Sequence, residues 1–215
     1  VPDFIGDAES LRAGKIALRT RILAARRSKT PGSLREAAEA VTAALLVEIH
    51  NQSPTVIATY VPIGPEPGGP GLPEALRRVP TAGRTRAHRT ATVLLPVLLP
   101  DGDLDWAQYD GPGSVRPGPR GLLEPVGRRL GVAAVAEAGL VVVPALAVDR
   151  RGVRMGRGGG SYDRALARVS PQAFTVALLH DGELVDRVPA EAHDRHVRAT
   201  ITPSEGLSGA ADWTK

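Results

Sequence analysis

Apolar residues recur along this chain with two different periods. From Glu9 to Arg27, Leu11, Leu18, Ile22 and Ala25 fall on one stripe at helical spacing. From Ser33 to Ile49, Leu34, Val41, Leu45 and Ile49 repeat that spacing, and Ser33-Leu34-Arg35-Glu36 has the form of a capping box. Two helices are therefore expected. The pattern then changes to short, continuous apolar runs: Thr55 to Val61, Thr92 to Leu99 with Pro96 inside it, Leu104 to Tyr109, Leu140 to Val143, Phe174 to Leu179 and Ala199 to Ile201. Runs of that length, rich in β-branched residues, read as buried strands.

Asp101-Gly102 predicts a hairpin turn between the second and third of these strands. Residues 111–121 form a Gly-Pro-rich loop, followed by Leu123-Glu124-Pro125, which reads as a loop anchor. Tyr162 to Val169 reads as a short helix. Gly69 to Ala91 is the exception to the pattern. Arginines at 77, 78, 84, 86 and 89 alternate there with small and polar residues, no stripe extends beyond Leu72 to Leu76, and the segment reads as a disordered or poorly packed insertion. Strands alternating with helices predict a single α/β domain over residues 1–215, with a mostly parallel sheet and ligands at the strand ends.

Composition narrows the function. With 215 residues, 42% of them hydrophobic, the chain can bury a sizeable core. No apolar run approaches the roughly twenty residues of a membrane span, and no signal-peptide segment is recognisable, so a cytoplasmic protein is expected. The absence of cysteine excludes disulfides, thiolate metal sites and a cysteine nucleophile. A net charge of +4 suits polyanionic small ligands and also nucleic acid, but 3% aromatics provide no base-stacking platform.

The densest chemistry lies in residues 143–163, where an apolar strand leads into a basic loop, Arg154-Met155-Gly156-Arg157-Gly158-Gly159-Gly160-Ser161-Tyr162-Asp163, and then a helix. Glycines let successive N–H groups converge on an anion, Arg154 and Arg157 add mobile positive charge, and the helix adds its dipole. A phosphate-bearing ligand is expected, against the plainer reading of a flexible surface loop. The loop fits neither familiar glycine motif. A Walker loop needs a Lys-Ser or Lys-Thr pair, and a dinucleotide fingerprint needs glycine where Ser161 stands and a strand directly before it.

Residues 144–163 resemble, nearly position by position, the signature of the 5-formyltetrahydrofolate cyclo-ligase family, also called methenyltetrahydrofolate synthetases. That signature runs Pro-Gly-Leu-Ala-Phe-Asp, a short basic link, then Arg-Leu-Gly-(Tyr or Arg)-Gly-(Gly or Lys)-Gly-Tyr-Tyr-Asp. Ser161 departs from it, since the family usually carries an aromatic there. The resemblance implies a Rossmann-like three-layer fold with a small accessory hairpin. It implies an enzyme that uses ATP and Mg²⁺ to convert 5-formyltetrahydrofolate to 5,10-methenyltetrahydrofolate through a phosphorylated formyl group.

The same resemblance assigns the site residues. Lys15 and Arg19, four apart and otherwise an ordinary solvated basic face, would contact ATP phosphates with Arg154, Gly156, Arg157, Gly158, Gly159, Gly160, Ser161 and Tyr162. Val61, Glu66 in the rigid loop Pro62 to Gly68, and Tyr162 would meet the pterin, and Arg157 and Tyr162 would be catalytic. Asp163 and Asp194 would hold Mg²⁺, with His193 and His196 as surface residues and zinc excluded by the spacing. The implied partners are ATP and a reduced folate, without nucleic acid or membrane, for a monomer or weak dimer. Another ATP-dependent transferase sharing the loop, or a basic nucleic-acid-binding module, are the alternatives.

Overall fold

The computed structural model describes residues 4–81, 89–191 and 194–209; Arg84, Arg86 and His193 lie outside them. Seven strands form the main sheet: β1 (Val56–Ala58), β2 (Thr92–Leu98), β3 (Leu104–Gln108), β4 (Leu140–Pro144), β5 (Phe174–Leu178), β6 (Ala199–Thr202) and β7 (Gly206–Gly209). Their spatial order is β7-β6-β5-β4-β1-β2-β3. The strands β2, β1, β4, β5 and β6 run parallel, and β3 and β7 close the edges antiparallel. The chain moves outward from β1 to β3, returns to the other side of β1 as β4, and moves outward again. That reversal makes the β1–β4 boundary the switch point, and the crevice beyond their C-terminal ends is where ligands sit in such sheets.

Both faces of the sheet are covered, which is why its strands read as unbroken apolar runs. Ile57, Val93, Leu140, Val142 and Val176 pack under Val41, Leu45 and Ile49 of α2 (Pro31–Gln52) and under Leu72 and Leu76 of α3 (Leu72–Arg77). Ala58, Leu94, Val141 and Trp106 face Val135, Ala138 and Ala165, the last from α4 (Ser161–Leu166). Among the described residues no helix is long and apolar enough to cross a membrane.

Several local expectations are corrected. The second helix opens at Thr30 rather than Ser33: Thr30 Oγ1 accepts from Ser33 N at 3.2 Å, and Pro31 occupies the first turn, where a missing N–H is harmless. Pro96 does not interrupt β2. Tyr109 N bonds Val93 O and Leu99 N bonds Asp103 O, so odd-numbered residues face β3, while even-numbered ones face β1, which ends opposite Leu94. Pro96 thus sits where no donor is required, and beyond it Glu124 Oε1 takes Leu98 N at 2.8 Å.

Of the segment Gly69 to Ala91, residues 82–88 lie outside those described, and the described part carries a helix and a strand pair. Leu72 and Leu76, spaced one turn apart, bury α3 against the sheet, and Pro80–Thr81 pairs with Arg89–Thr90. The accessory structure is larger than one hairpin. Ala147–Asp149, Arg154–Met155 and Leu184–Val185 form a three-stranded sheet, and two further two-stranded pairs stand apart from the main sheet.

α1 (Phe4–Arg27) packs on this accessory sheet through Leu18 and Ile22 against Leu146, Val153, Met155 and Val188. Ala25, expected in the stripe, is exposed, and Arg26 is buried in its stead. Its guanidinium makes a bidentate pair with Glu183, Nε to Oε1 at 2.7 Å and Nη2 to Oε2 at 2.8 Å, and Nη2 also donates to Ala145 O at 2.7 Å. This pair lies where β4 leaves the main sheet.

Asp149 fixes the turn that leads to the glycine loop. Its carboxylate is fully buried and accepts N–H bonds from Arg151, Val153 and Val188 at 2.9, 3.1 and 3.0 Å, with the Arg151 guanidinium at 2.7 Å. Burial works against the charge, but these donors outweigh it and hold the pKa below the ordinary aspartate value. Asp149→Asn turns an amide NH₂ toward donors and should cost on the order of 2 kcal/mol at neutral pH. Because the folded-state pKa is depressed, the unfolded chain takes up its proton first. The wild-type advantage should therefore be complete above the unfolded carboxylate pKa of about 3.9 and be lost as pH falls through the lower folded value. Urea midpoints of both proteins across pH 7 to 3 test this, and an advantage that does not change with pH contradicts it.

Candidate active site

The crevice at the switch point is walled by two loops of opposite character. The loop after β1 carries Pro62, Pro65 and Pro67, so it has few donors of its own and cannot extend the sheet. Its side chains close it: Glu66 Oε2 accepts from Ile63 N at 3.0 Å, Glu66 N bonds Ile63 O at 3.2 Å, and Tyr60 hydroxyl donates to Pro67 O at 3.3 Å. Gly68 has φ +97°, and a Cβ there would meet Leu72 and Leu178 at 3.0 and 3.1 Å. Val61 is buried beside the loop.

The glycine loop enters from the accessory sheet at Met155. Arg154 is not the mobile cation expected. Its side chain is 4% exposed, its Nη2 donates to Asp163 Oδ1 at 2.7 Å, and its Nη1 reaches Pro144 O at 3.4 Å. A Cβ on Gly156 would lie 2.8 Å from Arg154 Nη1, so glycine at 156 is what lets the guanidinium pass. Gly158 and Gly160 have φ of +99° and +68°, conformations that side-chain-bearing residues avoid. Helix α4 has six residues, from Ser161, so its dipole adds little to the loop's own N–H groups.

Cations and carboxylates from distant parts of the chain meet here. Arg157 Nη2 donates to Glu66 Oε1 at 2.9 Å across 91 residues, joining the glycine loop to the β1 loop over the switch point. Arg19 Nε reaches Gly156 O at 3.4 Å, and its guanidinium lies 3.3 Å from where a Cβ on Gly158 would stand. Lys15, from the same helix face, bonds Glu191 Oε2 at 2.8 Å and Asp194 Oδ2 at 2.9 Å. Burial lowers the Lys15 pKa, but the two carboxylates prevail and hold it above the ordinary lysine value. Asp163 Oδ1 also accepts from Arg195 N at 3.2 Å, which brings the Asp163 and Asp194 segments together.

Two buried polar atoms of the site have no partner among the described residues, Tyr162 hydroxyl and Arg154 Nε. Burial and then the Glu66 carboxylate push the Tyr162 phenol up, so it stays a neutral O–H donor at physiological pH. An open cleft of about 670 Å³ continues from Glu66 along α2, past Leu34, Ala38 and Leu46, with Arg35 at its margin.

Of the residues expected at the site, the structure joins Arg157 to Glu66, Arg19 to Gly156, Arg154 to Asp163 and Lys15 to Asp194. Absent from the expectation are Arg26, Glu183, Asp149 and His180, whose roles depend on burial. The one legible signal is that Arg26 continues the Leu18-Ile22 stripe at the next helical turn.

The comparisons with known proteins agree with this geometry. The model of the 5-formyltetrahydrofolate cyclo-ligase family matches residues 12–203. A 5-formyltetrahydrofolate cyclo-ligase of Mycolicibacterium smegmatis is 38% identical over 198 residues, covering 90% of this chain and 95% of that protein. The Escherichia coli enzyme of the same description is 32% identical over 116 residues, covering 53% of this chain and 64% of its own. Among solved structures, the Aquifex aeolicus 5,10-methenyltetrahydrofolate synthetase superposes with a TM-score of 0.74 at 26% identity, over 92% of this chain and 93% of that one. A Mycoplasma pneumoniae protein of the same description, at 16% identity, shares the fold with a TM-score of 0.66 over 86% of this chain and 96% of its own. With residues 12–203 matched by the family model and a 38% identical relative covered over 95% of its length, this chain belongs to the 5-formyltetrahydrofolate cyclo-ligase family.

Proposed function

We propose that the switch-point crevice holds ATP on its glycine-loop side and the pterin of 5-formyltetrahydrofolate on its Glu66 side. The activity of the family is the ATP-dependent closure of 5-formyltetrahydrofolate to 5,10-methenyltetrahydrofolate. The observation that carries the assignment of sides is the Arg157–Glu66 contact at 2.9 Å, because it puts an anion-binding loop and a carboxylate-bearing loop within one side chain's reach.

The formyl oxygen is amide-like and a poor leaving group. It attacks the γ-phosphorus, ADP departs, and the formyl carbon becomes an iminium phosphate. N10 of the folate then attacks that carbon, N10 loses its proton, and phosphate leaves with the C–O bonding pair to complete the ring. No covalent protein intermediate is needed, so the protein's task is positioning and charge stabilisation. Arg157 is the catalytic cation: its side chain is 64% exposed, its surface ion pair is weak, and it can leave Glu66 for the transferring phosphoryl group. Arg19, Lys15 and the N–H groups of Gly156, Gly158, Gly159, Gly160 and Ser161 cradle the phosphates.

Arg154, buried and paired with Asp163, is the fixed charge beneath them. Glu66 accepts hydrogen bonds from the pterin, Val61 packs against it, and the unpartnered Tyr162 hydroxyl donates to it. The cleft along α2 gives the p-aminobenzoyl-glutamate tail a path outward past Arg35. Mg²⁺ brought by ATP would supply charge neutralisation at the phosphates, and it prefers one or two carboxylates with phosphate and water oxygens. Asp163 would offer its Oδ2, which accepts no hydrogen bond among the described residues. Asp194, whose Oδ2 accepts from Lys15 Nζ and from Glu191 N, would be the second ligand if Lys15 exchanged it for phosphate.

Three measurements test this reading. Purified protein should form the methenyl chromophore only with 5-formyltetrahydrofolate, ATP and Mg²⁺ together, and product without ATP, or none at all, rejects the assignment. Glu66→Gln should raise the folate KM while ATP affinity holds or improves, because Arg157 is released; an equal loss of both affinities points to damage to the fold. Arg19→Ala removes a charge-assisted phosphate contact of about 1.5–3 kcal/mol, one to two orders of magnitude in ATP affinity. Arg21→Ala, on an exposed face, should be nearly silent by titration calorimetry, and the same small effect from both would make the basic helix an ordinary surface.

A further inference from the structure

The Glu66 loop has one anchor outside its own segment that none of the site residues above explains. His180 follows β5 and is 1% exposed, and its Nε2 lies 2.9 Å from Pro65 O, the carbonyl immediately before Glu66. A carbonyl oxygen only accepts, so Nε2 carries the proton and Nδ1 bears the lone pair. Nδ1 is buried with no partner among the described residues, where the bond to Pro65 is the only one the imidazole makes. A ring that leaves one nitrogen unpaired in the core costs stability, and a purely apolar side chain would avoid that cost. Burial also pulls the imidazole pKa below the ordinary histidine value, keeping the ring neutral.

His180 is itself held firmly. Its N–H donates to Glu183 Oε2 at 2.8 Å, Glu183 N returns to His180 O at 3.1 Å, and Glu183 is clasped by Arg26. Glu66 N is spent on Ile63 O, Pro67 has no N–H, and among the described residues no loop N–H bonds Pro65 O, so its donor comes from His180. The chain of contacts thus runs from Arg26 through Glu183 and His180 to the peptide that carries Glu66.

We propose that His180 is a positioning residue for folate recognition: its Nε2–H bond to Pro65 sets the height and direction from which the Glu66 carboxylate meets the pterin. This rests on the reading of Glu66 as the folate-binding carboxylate. The role is indirect, since His180 touches the loop and not the substrate.

The test compares His180→Leu, which deletes the donor, with His180→Gln, whose amide nitrogen reaches a position near Nε2. His180→Asn is added because its amide nitrogen stops near Nδ1. The leucine variant should raise the folate KM by several-fold to about tenfold, the worth of one lost hydrogen bond, with the ATP KM within about twofold. His180→Gln should restore most of the folate KM and His180→Asn should not, so the comparison of the two amides stands even if the leucine variant fails to fold. Without any ligand, hydrogen exchange at the Ile63 and Glu66 amides should quicken in His180→Asn and return toward wild type in His180→Gln.

A merely structural histidine predicts something different: equal effects of glutamine and asparagine, or folate and ATP KM rising together with the loss of thermal stability. Either result overturns the proposal. If Glu66→Gln raises the folate KM and the donor-deleting His180 variants do not, the positioning role is wrong while the Glu66 assignment stands. If neither change moves the folate KM, the Glu66 assignment falls and the proposal falls with it.

Discussion

The buried ion pair between Arg26 and Glu183 is the contact on which the site's geometry depends. Two full charges removed from water are costly, and their attraction offsets that cost only when the geometry is good and the remaining donors are satisfied. Here both conditions hold: the pair is bidentate, Arg26 also donates to Ala145 O, and Glu183 also accepts from His180 N. Taking away one partner would strand the other charge in the core, at about 3–5 kcal/mol. A pair of apolar residues could serve stability as well. What they could not do is tie α1, the exit of β4, the turn after β5 and, through His180, the β1 loop to a single point.

Above that point the site is a set of ion pairs arranged by burial. Arg154–Asp163 is buried on the arginine side and fixed, whereas Arg157–Glu66 and the Lys15 pairs lie nearer the solvent. Exposed pairs contribute little net stability, so exchanging a carboxylate for a phosphate would be an easy step for Arg157, whose side chain is the exposed member of its pair. Arg154 keeps its place and supplies a fixed field. In the proposed site the phosphate-binding charges are thus neutralised by the protein's own carboxylates, which would become available to pterin or Mg²⁺ once the cations move to ATP.

Much of this was legible in the chain. Parallel strands buried on both faces leave an unmistakable apolar run, and the glycine loop announces itself because Gly158 and Gly160 must have positive φ and Gly156 must make room for Arg154. The remainder was hidden for physical reasons. Arg26, Glu183 and His180 carried no signal because residue type alone does not reveal burial, and Asp149 was only a letter in a motif until its N–H donors were seen. Ser33-x-x-Glu36 imitated a capping box that Thr30 and Pro31 displaced by one turn, and Pro96 looked like a break because the early end of β1 is a tertiary fact. Leu72 and Leu76 are too short a stripe to predict α3, which tertiary burial supplies.

In the proposed mechanism the ATP-binding and folate-binding loops meet over the switch point and Arg157 passes between them. A crystal structure with a non-hydrolysable ATP analogue, Mg²⁺ and 5-formyltetrahydrofolate tests it most directly. The account predicts the γ-phosphate at Gly156 to Gly160, the pterin between Glu66 and Tyr162, and the Arg157 guanidinium moved from Glu66 to the phosphate. Ligands bound away from the β1–β4 crevice, or an Arg157–Glu66 pair left intact beneath both substrates, would contradict it.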